Sequence, residues 1–347
     1  MRNNLLRLLT TFLISFSIPV FSGEVTGAGS MIPAPLMKAW SEVYSNRNPD
    51  FILKYQGSNP ADGIKRIVNK EVDFSNVDMP LSIEELQKNG LLQFPFALGA
   101  IAPIVNLPNV YAGQFRLDGK VLGDIFLGNI KKWSDPAIVA LNPKIKLPDE
   151  DIIIVRRVSS PGVRTIIGDF LAKSNSQWKA SKGDSMGGTW PSSSIEVKDA
   201  VENFATIKKT QYCIGYGAIS LAMKHGLSYT QLKNQAGNFI SPSFENVAAA
   251  AGNAKWDESN GFNVVLTDQP GATSWPMSFA SYVLVRKQSA NAERSKEMLK
   301  YFKYNLRYGG LKAIEYDYIP MPEEVTATVR ASWSGIVDDK GVSIYKD

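Results

Sequence analysis

The chain has 347 residues, 44% of them hydrophobic and 20% charged, with 27 Gly and 19 Pro, a composition of globular type and long enough for two domains. One His and one Cys exclude a Cys₂His₂ or His₃ zinc site, a Cys-x-x-Cys redox pair and an intrachain disulfide, so hydrophobic cores must hold the fold. Lys and Arg outnumber Asp and Glu by 38 to 33, but the positive residues are scattered and do not indicate nucleic-acid binding.

Arg2 and Arg7 precede an apolar run ending at Val20, and Val20-Phe21-Ser22 offers tolerated residues for cleavage, the pattern of a signal peptide over 1–22. The run is about 13 residues, short of the roughly 20 that span a bilayer, and no Cys stands near it to carry a lipid. Cleavage would leave 36 basic against 33 acidic residues, an excess of +3, and the lone Cys213 suits export to an oxidising compartment.

Beyond residue 22, β-branched runs alternate with helix-periodic segments, the sign of an α/β protein. The patterns predict strands over 25–29, 51–55 and 72–77, and helices over 35–45, 63–69 and 83–89. Two long apolar runs, 96–105 and 277–285, each follow a Pro and stand far apart in sequence, as two strands crossing between lobes would. Between them lie predicted strands over 152–155 and 212–215 and helices over 123–126, 165–173 and 197–204; helices over 292–304 and 323–333 follow. The expected division is 23–100 with 278–347 for one lobe and 101–277 for the other, with a cleft between.

Four turns follow strands. Thr26-Gly-Ala-Gly-Ser-Met-Ile-Pro-Ala-Pro35 leads into a helix whose free N–H groups suit an anion, although a tight turn uses Gly equally well. In Tyr55-Gln-Gly-Ser-Asn-Pro-Ala-Asp-Gly63, Asn59 and Asp62 are cap residues. Asp78 ends Val72-Asp-Phe-Ser-Asn-Val-Asp78 where ligands collect in open α/β sheets, and turn formation is its plain alternative. Arg156 and Arg157 close a strand before Ser159, Ser160, Pro161 and Gly162; they suit an oxyanion, or solvated surface charge. Gly183-Asp-Ser-Met-Gly187, with Asp199 and His225 after it, matches a hydrolase elbow in letters, but a helix rather than a strand is predicted before Ser185.

Leu117-Asp-Gly-Lys-Val-Leu-Gly-Asp-Ile-Phe-Leu-Gly-Asn-Ile-Lys-Lys-Trp133, Val155-Arg-Arg157, Ser274-Trp-Pro276 and Val72-Asp-Phe74, with the four turns, make the chain resemble the periplasmic phosphate-binding proteins of high-affinity phosphate ABC importers. The resemblance runs from the first Gly-rich turn to Val329-Arg-Ala-Ser-Trp333. It implies a two-lobed α/β solute-binding fold of type II, export to the periplasm, monomeric capture of inorganic phosphate or another small oxyanion, and delivery to permease and ATPase subunits in the inner membrane. It implies no catalysis and no cofactor.

The resemblance places the family's carboxylate at Asp78 and its arginine at Arg157, with candidate ligand contacts at Ser30, Met31, Ile32, Ser58, Ser159, Ser160 and Gly162. A carboxylate accepts the proton that phosphate carries and repels sulfate, which has none. The family's hydroxyl positions fall here on Met31, Pro60, Pro161 and Val163. Hydrogen bonds to a charged group contribute about 1.5–3 kcal/mol each, against ~8 kcal/mol for a micromolar complex. A ligand-switched or non-binding paralogue, acting as a sensor or interaction protein with Asp78 and Arg157 paired to each other, is therefore the alternative reading.

Overall fold

The computed structural model describes residues 23–158, 161–183 and 186–345; the predicted signal peptide, Ser159, Ser160 and Ser185 lie outside them. Two parallel crossovers build the first part of the sheet. Gly23–Ser30 lies between Phe51–Ser58 and Phe74–Val77, and the helices Ala34–Ser45 and Pro60–Val68 carry the chain from one strand to the next. Ala34–Ser45 buries Leu36, Met37, Ala39, Trp40 and Tyr44 and packs on the helix Ala292–Tyr308. Phe51 stacks on Tyr301 at 5.2 Å and Phe74 meets Phe302 edge-on at 5.2 Å, each buried ring contributing about 1.5–3 kcal/mol.

Leu91–Asn106 is a single strand of 16 residues, buried along nearly all its length, which accounts for its almost unbroken apolar sequence. Its residues Leu91 to Ala100 pair antiparallel with Ser278–Arg286, and Ile101 to Asn106 pair antiparallel with Cys213–Ala218. One strand thus passes through both halves of the molecule. The sheet path runs Phe51–Ser58, Gly23–Ser30, Phe74–Val77, Ser278–Arg286, Leu91–Asn106, Cys213–Ala218, Ile153–Arg157, Ser194–Val197. Pro95 sits within this central strand although it has no N–H to give; the register shifts between Ser281 and Tyr282, opposite it, and absorbs the irregularity.

The return passage is tied to the outgoing strand by Trp275 and Met277. Trp275 Nε1 donates to the Ile101 carbonyl at 3.0 Å, Ile101 N donates to the Met277 carbonyl at 3.0 Å, and Ser278 Oγ donates to the Trp275 carbonyl at 2.9 Å. The Ser-Trp-Pro motif therefore anchors the point where the chain changes halves.

The longest motif serves packing. Asp118 caps the helix Gly119–Leu127, and a Cβ on Gly123 would lie 2.6 Å from Asn175 Nδ2. Asn175 donates to the Lys120 carbonyl at 2.8 Å and to Asp124 Oδ1 at 3.1 Å. These contacts fix the C-terminal end of the helix Pro161–Ser174, whose other end packs against Asp78 through Gly162.

Boundaries differ where capping decides them. The helix predicted over 63–69 begins at Pro60, because Asn59 accepts from Asp62 N and Pro fits the first helical turn. The span 197–204 is divided: Val197 closes a strand and Ala200–Lys209 starts only after Asp199, its N-cap. Among the described residues no helix is long and apolar enough to cross a membrane.

Candidate functional site: a buried carboxylate between the lobes

Asp78 follows directly on the strand Phe74–Val77 and is 3% exposed. Its Oδ2 accepts from Ser30 Oγ at 2.8 Å, and Ser30 Oγ in turn accepts from Ile32 N at 3.1 Å. Its Oδ1 is buried without a hydrogen-bond partner. Burial pushes the Asp78 carboxyl up to about 6, outweighing the Ser30 hydrogen bond, which pulls it down.

Gly162, second residue of Pro161–Ser174, closes on this carboxylate from the other half. A Cβ on Gly162 would overlap Asp78 Oδ2 and lie 2.9 Å from Asp78 Cβ and 3.0 Å from Cγ. Only glycine lets the helix start approach so closely. Arg164 steadies that start by donating to the Val158 carbonyl and to the Met186 carbonyl, each at 3.1 Å.

Two tyrosines hold the first turn. Tyr55 donates to the Ser30 carbonyl at 2.6 Å, and Tyr318 donates to the Ile32 carbonyl. Burial, then the Asp78 charge, pushes both phenols well above the ordinary tyrosine range. Met31, between the two held carbonyls, is 67% exposed. Sequence reasoning missed both tyrosines. Tyr55 had one weak signal, a polar-tipped ring next to a Gly-containing turn, while Tyr318 comes from more than 280 positions away in the chain, as the Tyr318–Ile32 separation of 286 shows.

The first turn's glycines have structural work. Gly29 has φ +123° and lies against the second helix, where a Cβ on Gly63 would stand 2.5 Å from Gly29 Cα. Ser58 is the register partner of Ser30 and gives its hydroxyl hydrogen to Asp62 Oδ2 at 2.7 Å. Ser30, Ile32, Asp78 and Gly162 thus come together, with Met31 and Ser58 beside them. Arg157 is half-buried; its N–H donates to Tyr216 Oη at 3.2 Å and its Nε is buried without a partner. Burial lowers the Arg157 pKa, opposed by the nearby Tyr216 and Asp199. Among the described residues no Lys or Arg forms an ion pair with Asp78, so the Asp78–Arg157 pair of the alternative reading is not formed.

Asp73, next to Phe74 in the Val-Asp-Phe motif, is a lobe anchor: its Oδ2 accepts from Thr26 N at 2.8 Å and Thr26 Oγ1 at 2.9 Å. The hydrolase-like letters do not assemble. A helix, Ser176–Lys182, precedes Gly183; Asp199 accepts from Glu202 N as a cap; His225 stacks on Phe204 at 5.5 Å.

A strand shared by two α/β halves, with a carboxylate buried where they meet, defines a two-lobed solute-binding protein of type II. A family model described as the PBP superfamily domain matches residues 21–305. The chain is 37% identical over 326 residues to the phosphate-binding protein PstS of Pasteurella multocida, with 94% of each chain covered. It is 37% identical over 313 residues to the protein of the same name from Haemophilus influenzae, covering 90% of this chain and 93% of that one. An ABC-type phosphate transport receptor from Vibrio cholerae shares the fold with a TM-score of 0.58 at 19% identity, over 86% of this chain and 100% of that one. The chain belongs to the PBP superfamily and, within it, to the PstS phosphate-binding protein family.

Proposed function

We propose that this chain is a periplasmic receptor that captures inorganic phosphate in the cleft between lobe 23–100 with 278–347 and lobe 101–277, and delivers it to the permease and ATPase subunits of an ABC importer. Residues 1–22 serve as its export signal, it works as a monomer, and no catalytic step is involved. Support for the lobe boundaries comes from the change of strand partner between Ala100 and Ile101.

The observation that carries the reading is Asp78 Oδ1, a buried acceptor with no partner at the point where the lobes meet. Such an atom costs about 1–3 kcal/mol while unsatisfied. An oxyanion that keeps a proton supplies the missing donor; sulfate offers only a lone pair against a lone pair. The Gly162 N–H at the start of Pro161–Ser174, the Met31 N–H and the Arg157 guanidinium are the assigned donors to the ligand's other oxygens. Ser159 and Ser160 precede that helix directly.

Titration calorimetry of the chain from residue 23 with phosphate, and with sulfate as control, tests this. Phosphate heat that disappears in Asp78→Ala and in Arg157→Ala is expected, and no heat at millimolar phosphate would sink the proposal. The alternative, a paralogue whose cleft has changed or lost its ligand, is favoured by one observation: the hydroxyl hydrogens of Ser30 and Ser58 are given to Asp78 and Asp62. Tight phosphate binding that depends on Asp78 excludes it.

A further inference from the structure

We infer that the segment 261–267 is a third link between the lobes, and that Thr267, Asp169 and Lys173 are positioning residues through which it holds the start of the helix Pro161–Ser174 on Asp78. The inference rests on the phosphate-receptor reading above for its affinity readout, and goes beyond it by assigning control of binding to residues remote from the carboxylate.

The helix carries the relevant groups on one stripe. Gly162, Ile166, Asp169 and Lys173 recur at steps of four, three and four residues, which places them on one face. Gly162 meets Asp78, and the buried Ile166 lines one narrow gap with Asp78, Pro80, Val264 and Leu266. Further along, Lys173 Nζ donates to Thr267 Oγ1 at 2.8 Å and to the Thr267 carbonyl at 3.2 Å, Thr267 Oγ1 donates to Asp169 Oδ2, and Lys173 pairs with Asp169 at 2.7 Å. A partly exposed Lys–Asp pair four residues apart on a helix adds little to stability by itself. Here both groups close on a threonine that is 2% exposed, so together they fix how the helix is rolled against the segment.

The other end of the segment is pinned to the lobe 23–100 with 278–347. Tyr282 Oη donates to the Val264 carbonyl at 2.6 Å, and Gln93 Nε2 donates to the Gly261 carbonyl at 2.7 Å. Gly261 has φ +69°, and a Cβ there would lie 2.5 Å from Leu86 Cδ1 on the helix Ile83–Asn89. Gln93 also holds Leu81, just beyond Asp78, by accepting from its N–H and donating to its carbonyl, each at 2.9 Å. Between Val264 and Thr267 at most about 10 Å of extended chain separates the two attachments. The segment therefore ties the loop that follows Asp78 to the helix that covers Asp78. Lys173 stands about 16 Å along that helix from Gly162, so the Thr267 attachment acts on the carboxylate only by aiming the helix.

A tie of this kind is lost as fully when one end is cut as when both are. Thr267→Val removes the hydroxyl at nearly constant shape and leaves Asp169 and Lys173 paired, while Tyr282→Phe removes the pin on the other lobe. Titration calorimetry with inorganic phosphate is expected to show an affinity loss of about tenfold in each variant, the worth of one hydrogen bond to a charged group. The double variant is expected to lose no more than either single one, because both cut the same link. Thr267→Ser, which keeps the hydroxyl, is expected to bind as the wild type does. X-ray scattering without phosphate is expected to give Thr267→Val a larger radius of gyration at an unchanged urea midpoint. Should Tyr282→Phe not fold, Thr267→Val carries the test alone. Wild-type affinity in Thr267→Val, or losses that multiply in the double variant, overturns the inference and leaves the receptor reading intact. Absence of phosphate heat from the wild type overturns the receptor reading; the scattering comparison then decides the inference, and equal radii overturn it.

Discussion

Asp78→Asn probes the price of keeping a carboxyl between the lobes. Burial holds this group at about 6 against an ordinary 3.8, and at 3% exposure no solvent screening reduces the effect. A rise of about two units corresponds to roughly 3 kcal/mol, at about 1.4 kcal/mol per unit. The folded value lies above the unfolded one, so the stabilisation is complete below 3.8 and is lost as pH rises through about 6. The Asn variant has no such titration. It buries an amide N–H pair in place of the unpartnered Oδ1, a pH-independent cost of about 1–3 kcal/mol, while its carbonyl still accepts from Ser30. Urea denaturation of both proteins without phosphate, from about pH 4 to 8, reads the difference directly. The wild type is expected to be the more stable at the acid end and to lose that lead, by a total approaching 3 kcal/mol, towards pH 8. A stability difference that stays constant with pH would refute the argument, because it would mean that Asp78 is not desolvated by the closure of Gly162 upon it.

Two further outcomes follow from contacts between the halves. Gly162→Ala places a methyl into Asp78, an overpacking cost of about 1–3 kcal/mol that helix propensity offsets by at most ~1 kcal/mol; a larger radius of gyration by X-ray scattering and at least a tenfold loss of phosphate affinity are expected, and unchanged scattering would contradict the contact. Trp275→Phe leaves the buried Ile101 carbonyl without its donor, at about 1–3 kcal/mol; faster amide exchange along Ile101 to Asn106 is the expected reading, and wild-type protection there would show that Trp275 does not brace the crossing strand.

Local sequence carried the elements well wherever the physics was local. Apolar runs and helical spacing located the crossing strand, the helix Ile83–Asn89 and the C-terminal helices, since burial of one face is written into the periodicity of each segment. Caps moved the boundaries at Pro60 and Ala200, where one Asn or Asp side chain decides which N–H groups are satisfied. The Gly-rich turns were legible as turns but not in their purpose. Gly27 and Gly29 are required by Phe74 and by the approach of the second helix, whereas Gly162, one glycine among many in the sequence, is the one that touches the carboxylate.

The α/β class and the family were legible in the order of residues, because each depends on segments acting singly or on motifs read along the chain. What Ser30 and Ser58 do with their hydroxyls was not, although both were visible as candidate donors. A hydroxyl has one hydrogen, and where it goes depends on which carboxylate the fold brings within about 3 Å: Asp78, 48 positions from Ser30, and Asp62, four from Ser58. Tertiary structure supplied one buried carboxylate with an unpartnered oxygen where the two halves meet. Asp78 became that group only when two lobes excluded water from it, since desolvation is a property of everything packed around a residue and of nothing in its own sequence neighbourhood.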